Sequence, residues 1–350
     1  MERSHKLKKN AFLTKKAYQR TRPYFTSLAE ELSSRENNQN ILNKNVMVEI
    51  IIPTLNEGRT IGSLIDELRQ NVLPVKGSIL VIDGGSTDNT SEICKAKKVR
   101  FVVQKGKGKG IAMREGVEMS NADIVVFMDG DGTYRPSDLV PILQPLLDGK
   151  ADMVVGSRMQ GNRQKGSIST FNITGNKLFT AAINFAMKSG VTDPLSGYRA
   201  LYKKTFKDLV LFSSSFEIEV EMTVEALAKA YRIVEIPITY RRRDGSNTKL
   251  HPLDDGIRIG RTLLFILMNV NPLKFFGIIS LAFFLIGIIP AYQVLHEKIL
   301  TGQIVSMPSV VFSSLLFMTG TISIVVGMVS ELVVRSRRRL EFLINKKLEI

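Results

Sequence analysis

The chain has 350 residues, with 48 Lys and Arg against 33 Asp and Glu, a formal net charge of +15. That length allows one large domain with appendages, and that charge calls for an acidic partner: nucleic acid, a phosphate-bearing substrate or an anionic membrane. Cys94 is the single cysteine and tryptophan is absent, which excludes an intrachain disulfide and a cysteine-based zinc site; His5, His251 and His296 are too scattered to form a catalytic or metal constellation.

Residues 1–45 are polar and basic and hold no apolar core of a secretory signal. They read either as an extension attracted to anionic lipid or as a solubilising tail. From Val46 the chain alternates apolar runs with helical patterns. Strands are predicted at Val46–Pro53, Ser78–Asp83, Arg100–Gln104, Asp123–Asp129 and Asp152–Gly156, with a helix at Thr60–Asn71. This is the pattern of an α/β domain with a mostly parallel, buried sheet and helices on its faces. Ligands of such sheets bind beyond the carboxyl ends of the strands. The residues there are Pro53 to Glu57, Asp83-Gly-Gly-Ser86, Asp129-Gly-Asp131 and Gly156-Ser-Arg158. No G-x-G-x-x-G follows the first strand and no phosphate-binding G-x-x-x-x-G-K-[ST] occurs. Gly106-Lys-Gly-Lys-Gly110 opens a helix; its N–H groups and lysines suit a phosphate, and a plain flexible turn fits equally.

Asp129-Gly-Asp131 ends an apolar strand, and Gly130 and Gly132 let both carboxylates converge. Two such anions repel unless a cation lies between them. Hard oxygen ligands suit Mg2+ or Mn2+, which also hold substrate phosphates. Two solvated aspartates at a strand-end turn are the alternative.

Farther on, Asp255 to Met268 mixes arginines with apolar residues and suits a membrane interface or a buried helix. Phe275–Leu295 and Met307–Val334 are almost wholly apolar, each long enough for a bilayer core of about 30 Å. The short linker makes them a transmembrane hairpin. Lys274 before it and Arg335, Arg337, Arg338 and Arg339 after it put both ends in the cytoplasm by the positive-inside rule. A buried hairpin of a soluble core is the competing reading.

Ile52-Pro-Thr-Leu-Asn-Glu57, Asp83-Gly-Gly-Ser-Thr-Asp88, Phe127-Met-Asp-Gly-Asp131, Gly156-Ser-Arg158 and Asp193-Pro-Leu-Ser-Gly-Tyr-Arg199 resemble family 2 glycosyltransferases of the GT-A fold. Glu217-Ile-Glu-Val-Glu221, Glu235-Ile-Pro-Ile-Thr-Tyr-Arg241 and Gly245-Ser-Asn-Thr-Lys249 resemble the polyprenyl-phosphate subgroup, which includes dolichol-phosphate mannosyl- and glucosyltransferases. The resemblance implies a nucleotide-sugar-binding, Rossmann-like sheet, and with the composition shifts it gives the expected organisation: 1–45 as basic extension, 46–250 as catalytic domain, 251–272 as interfacial segment, 273–334 as two spans and 335–350 as basic tail. It implies that Pro53, Glu57 and Asp83 line the base and ribose, with Leu55, Asn56, Ser86, Lys109, Gly130 and Lys249 completing the donor site. Asp129 and Asp131 would bracket the metal and donor diphosphate. Arg158, Asn176 and Ser246 would face the acceptor phosphate, and Asp193, Arg241 and Arg243 join Asp131 and Arg158 as catalytic candidates, Asp193 either as a base or as a structural cap.

Two positions depart from the mannosyltransferase pattern. Thr133 stands where a metal-binding Gln is common, and Phe171–Asn176 lacks the usual Arg and Ser. The activity expected is inverting transfer of a hexose from UDP-glucose, UDP-N-acetylglucosamine or GDP-mannose to dolichyl or polyprenyl phosphate, with Mg2+ or Mn2+, at the cytoplasmic face of the cell membrane. The expected partners are the donor, the lipid phosphate and the bilayer, with self-association through the spans and no nucleic acid. A polysaccharide synthase of the same fold and a non-catalytic scaffold are the rivals. Tyr240-Arg-Arg-Arg243 and Asp254-Asp-Gly-Ile-Arg258 are closer to glucosyl-type members.

Overall fold

The computed structural model describes residues 46–72, 77–164, 166–168, 170–215, 217–243, 268 and 271–348. Residues 1–45, Ser246, Lys249 and nearly all of 251–270 lie outside the described residues. The rest falls into two units. One comprises the residues up to Thr180 with those from Ser189 to Arg243, the other Ala181–Lys188 with the residues from Met268 onward.

The first unit follows the alternation of its sequence. In order come β1 (Val48–Thr54), α1 (Ile61–Val72), β2 (Gly77–Asp83), α2 (Thr90–Ala96), β3 (Arg100–Val103), α3 (Lys109–Met119), β4 (Ile124–Phe127) and a 3-10 turn at Pro136–Asp138. Then follow α4 (Leu139–Leu147), β5 (Met153–Ser157), α5 (Thr170–Met187), β6 (Arg199–Tyr202), α6 (Lys203–Asp208), α7 (Ile218–Ala228) and β7 (Ile233–Pro237). The strands form one seven-stranded sheet in the order β3-β2-β1-β4-β6-β5-β7. All neighbours are parallel except β6, which runs antiparallel to both β4 and β5.

Side chains of a strand alternate between faces, and β1 shows the result. Ile50 and Ile52 join Ile61, Leu64, Ile65 and Leu68 of α1 and Ile142 and Leu146 of α4 in one core. Ile51 joins Met113 and Val117 of α3, Phe206 of α6 and Met222 of α7 in the other. With both faces covered, the strands are near-continuous apolar runs, as parallel strands usually are. The i, i+3, i+4, i+7 stripe Ile61, Leu64, Ile65, Leu68 seats α1.

The antiparallel β6 determines where the site forms. Its first residue, Arg199, pairs with Phe127 at the end of β4 and with Val155 near the end of β5. The residues leading into β6, Asp193 to Tyr198, therefore start at the carboxyl edge shared by the parallel strands. The sequence pattern predicts neither β6 nor β7: both are short and lie inside motif-rich stretches.

In the second unit α8 (Pro272–Thr301) and α9 (Met307–Leu348) pack along each other. Their contact face sets small residues, Ser280, Gly287, Ser313, Gly320 and Gly327, against the rings of Phe276, Phe284 and Phe317. Ser280 Oγ donates to Gly320 O (2.7 Å) and Ser313 Oγ to Gly287 O (3.0 Å). A Cβ on Gly327 would lie 2.8 Å from Phe276 Cβ. Such close approach is how helices associate where no hydrophobic drive separates protein from solvent. The outer faces carry Ile278, Leu285, Ile289, Val311, Leu315 and Val329, all exposed, so the described chain does not bury the hairpin in a core of its own. Pro272–Thr301 and Met307–Ser336 are each long and apolar enough to cross a membrane.

Candidate active site

The β1–α1 and β2–α2 loops are tied into one platform. Asn56 adopts a left-handed conformation (φ 58°), which Asn tolerates because its short side chain bonds locally. Its N–H donates to Ser86 Oγ (2.8 Å), and its Oδ1 accepts Thr87 N–H (2.8 Å). Asp83, 2 % exposed, accepts the N–H groups of Gly85 (3.0 Å) and Ser86 (2.8 Å) and the Ser86 hydroxyl (2.5 Å). Asp83 therefore builds the turn that presents Ser86 and Gly85. Leu55 projects into solvent beside Gly84, and Pro53 lies opposite Ile82 in the sheet.

The acidic loop follows β4. Gly130 leaves no room for a side chain, since its Cβ would lie 2.8 Å from Thr54 Cγ2. Gly132 has φ 71°, a conformation glycine adopts without steric cost. Thr133 donates its N–H (3.1 Å) and hydroxyl (2.7 Å) to Asp131 Oδ1, so it orients Asp131. Cations face both aspartates. Lys109 Nζ lies 2.5 Å from Asp129 Oδ1 and 2.6 Å from Glu219 Oε1. Arg243 lies 2.5 Å from Glu57 Oε1 and 3.7 Å from Asp131 Oδ2. Gly197 closes over the first pair; a Cβ there would lie 2.9 Å from both Asp129 Oδ2 and Lys109 Nζ.

The electrostatics follow from crowding. Burial pushes the Glu57 carboxyl up to about 7, Arg243 opposing and Asp131 and Asp129 reinforcing the shift. Burial and then the Asp129 charge raise Asp131 above the usual carboxylate range. Burial works against charged Lys109, but Asp129 and Glu219 overturn it and hold Lys109 protonated. Among the described residues no group of three or more His, Cys, Asp or Glu side chains forms a ready cage for a metal ion. The Asp129 and Asp131 pair, with Glu57 within electrostatic reach, nonetheless fits a hard divalent cation. Mg2+ in particular uses one or two carboxylates and completes its shell with water and substrate phosphate.

Next along the edge is Arg158, after β5. Its N–H (2.8 Å) and Nε (2.9 Å) donate to Asp193 Oδ2, and its Nη2 to Asp193 Oδ1 (2.8 Å). Asp193 is fully buried. Glu235 in turn fixes the Asp193 loop, accepting the N–H groups of Thr192 (2.8 Å) and Asp193 (2.9 Å) and the Thr192 hydroxyl (2.6 Å). Two rings link Arg158 to the acidic loop. Arg158 Cζ stands 5.5 Å from the Tyr240 ring centroid, Tyr240 and Tyr134 are 5.3 Å apart, and Tyr134 Oη accepts Gly197 N–H (2.9 Å).

Several candidates occupy other roles. Asn176 is 2 % exposed and donates to Thr192 O (3.5 Å); it braces the Asp193 loop and presents no surface to a phosphate. Arg241 forms a two-pronged pair with Glu67 of α1 (2.9 and 3.1 Å), so of the two loop arginines only Arg243 reaches the acidic cluster. Lys109 is committed to two carboxylates, which leaves it a counter-charge to Asp129. Asp193, with Arg158 on both oxygens, orients a guanidinium, and a base role would require breaking that fork.

Comparison with known proteins identifies the chemistry. Residues 49–210 match the family described as Glycosyl transferase family 2. The glycosyltransferase AglJ of Haloferax volcanii is 38 % identical over 78 % of this chain and 91 % of its own length. The chain belongs to glycosyl transferase family 2. It is a glycosyltransferase of GT-A fold. A dolichyl-phosphate hexose transferase of the same organism is 28 % identical over 61 % of this chain and 91 % of its own. The crystal structure of glucosyl-3-phosphoglycerate synthase from Mycobacterium tuberculosis with phosphoglyceric acid superposes with a TM-score of 0.52, at 25 % identity over 65 % of this chain and 81 % of that one.

Four residues that the structure brings to this glycosyltransferase's candidate site are not singled out from the sequence: Glu219, Glu235, Tyr134 and Tyr240. Glu217, Glu219 and Glu221 are equivalent by spacing, and only the packing of α7 buries Glu219 against Lys109. Tyr134 carries a signal, since it directly follows the glycine-rich acidic loop. Glu235 and Tyr240 lie in a family-like run with nothing local to assign them a partner.

Proposed function

We propose that this glycosyltransferase transfers a hexose from a nucleotide sugar to dolichyl or polyprenyl phosphate with inversion, using Mg2+ or Mn2+ held by Asp129 and Asp131. The observation that carries the reading is the half-used Arg158 fork. Nε and Nη2 are fixed on Asp193, while Nη1 has no hydrogen-bond partner among the described residues. A guanidinium anchored on one edge and open on the other is suited to phosphate, with both geometry and charge already set. A two-helix membrane hairpin in the same chain, and a relative named for dolichyl phosphate, favour a lipid-borne phosphate over a soluble one.

The chemistry asked of the side chains is modest. A phosphate monoester has its second pKa near ~6, so it is mostly dianionic at neutral pH and needs no base. One phosphate oxygen attacks the anomeric carbon, and the bond to the donor diphosphate breaks on the opposite face. Arg158 offsets the repulsion between the two phosphate groups. Asp193 and Glu235 hold that guanidinium in place. A divalent ion, when bound, supplies charge for the departing nucleoside diphosphate. Arg243 sits between Glu57 and Asp131, beside the place proposed for the donor diphosphate, and Ser246 and Lys249 are kept as proposed phosphate contacts.

UDP-glucose is the first donor to test. The catalytic unit and both termini are placed in the cytoplasm, supported by Lys274 and the Arg335–Arg339 cluster, with residues 251–272 at the interface. The test is a panel of UDP-glucose, UDP-N-acetylglucosamine and GDP-mannose with polyprenyl phosphate and Mg2+ or Mn2+, products identified by mass. A glycosyl phospholipid is expected from one donor. Transfer only to a free sugar or glycan would refute the lipid acceptor. Labelling of a Ser336→Cys protein from outside intact cells would refute the orientation.

A further inference from the structure

The second unit holds, besides the two long helices, Ala181–Lys188, which is the last two turns of α5 and the residue after it. Ile183 and Ala186 there are buried, whereas Ala181, Phe185 and Lys188 are exposed. Ala181 and Phe185, spaced i, i+4, share one helix face, and Lys188 follows the helix in a left-handed conformation (φ 53°). Phe185 is 57 % exposed, a large apolar ring that nothing in the described chain covers.

That ring is fixed to the start of the hairpin. Lys274 Nζ donates to the carbonyls of Phe185 (3.3 Å) and Ala186 (3.4 Å) and stands 5.4 Å from the Phe185 ring centroid. Asn271 Nδ2 donates to Ala186 O (3.3 Å) as well. These bonds satisfy carbonyls that the helix end leaves open and set a positive charge at its negative pole. Lys274 is the third residue of α8, and the continuous apolar stretch begins immediately after it. A lysine at that position marks the boundary between hydrocarbon and headgroups. Phe185, bound to it, lies at the same level. The Lys274 ammonium stands over it, exposed Leu273 directly precedes Lys274 and exposed Lys188 follows three residues after the ring, and mixed apolar and basic surface of this kind suits the headgroup–acyl boundary of an anionic bilayer.

We propose that the outer face at the end of α5, formed by Ala181 and Phe185 with Lys188 just past the helix and Lys274 beside it, is a lipid-binding surface. The Phe185 ring enters the boundary of an anionic bilayer, and Lys188 reaches lipid phosphates. This rests on the reading that α8 and α9 cross the bilayer.

Because the chain has no tryptophan, Phe185→Trp creates a single reporter in the full-length protein. In phosphatidylcholine/phosphatidylglycerol vesicles its emission shifts to the blue, is quenched by lipids brominated near the headgroup and is protected from aqueous acrylamide. Adding Lys188→Glu reduces that quenching. Leu285→Trp, exposed on α8, is the reference and is quenched by bromine deep in the acyl chain. If Leu285→Trp is not quenched, the spanning reading fails and the surface with it. If Leu285→Trp is quenched while Phe185→Trp emits as in water, the surface alone is overturned. Blue-shifted Phe185→Trp emission that ignores brominated lipid also overturns it, since a second copy or another protein then covers the ring. Should Phe185→Trp not fold, Ala181→Cys with a polarity-sensitive dye gives the same reading, Cys94 being buried.

Discussion

Arg158→Lys separates the two tasks of the arginine, holding Asp193 and receiving phosphate. The simpler Arg158→Ala confounds them: it leaves the fully buried Asp193 carboxylate without its cation, and breaking a buried pair from one side costs about 3–5 kcal/mol of stability. Lysine keeps the charge, and the main-chain N–H of residue 158 still reaches Asp193 Oδ2. Two side-chain bonds, at 2.9 and 2.8 Å, are replaced by one, so the loss is a single charge-assisted hydrogen bond, about 1.5–3 kcal/mol. The compact ammonium is then used up on Asp193 and leaves no open edge for substrate. A lost transition-state contact of the same size corresponds to a roughly tenfold to hundredfold slower transfer. The assay is transfer of labelled sugar to polyprenyl phosphate, with nucleotide affinity by calorimetry and thermal midpoint in detergent measured in parallel. The expected result is a folded protein with unchanged donor affinity and strongly reduced transfer. Wild-type transfer rates in Arg158→Lys, or a loss of donor affinity equal to the loss of rate, would refute the assignment of the open edge to the acceptor.

Asp131→Asn replaces a charged ligand with a neutral one of equal size; it should lose most turnover and respond little to added Mn2+, while wild-type enzyme should stop in EDTA, and EDTA-insensitive activity would count against the metal. Gly197→Ala places a Cβ against the Asp129–Lys109 pair and should weaken metal-dependent nucleotide binding in calorimetry without unfolding the protein; unchanged binding would show that the pair can yield. Burial raises the Glu235 carboxyl, against the hydrogen bonds from Thr192 and Asp193. A raised folded value means that Glu235 contributes stability below its unfolded value of about 4.3 and loses it as pH rises through the elevated one. Glu235→Gln removes that titration, so the wild-type advantage in thermal midpoint should shrink as pH rises above the unfolded value of about 4.3, and an advantage that grows with pH would contradict the shift.

The sequence by itself determined the local elements and the chemistry available. Period-two and continuous apolar runs marked five of the seven strands, the stripe from Ile61 marked α1, and two uninterrupted apolar stretches marked the hairpin. Asp129, Asp131 and Arg158 could be singled out as candidates because each lies at or within a few residues after the end of a recognisable strand. Which charges meet was decided by tertiary structure alone. Arg241 and Arg243 are two residues apart, yet one pairs with Glu67 across 174 positions and the other with Glu57 across 186. Glu219 differs from Glu217 and Glu221 only in the face of α7 it occupies, and that face buries it against Lys109. Asn176 bonds to Thr192 O and Asp193 holds Arg158, contacts set by the antiparallel β6, which brings the 192–197 loop between β4 and β5. Periodicity within a window records which face of an element is apolar. It carries no information on which distant polar group meets a given charge when sheet order and strand direction close the fold, and that partner decides whether a buried charge serves the substrate or the scaffold.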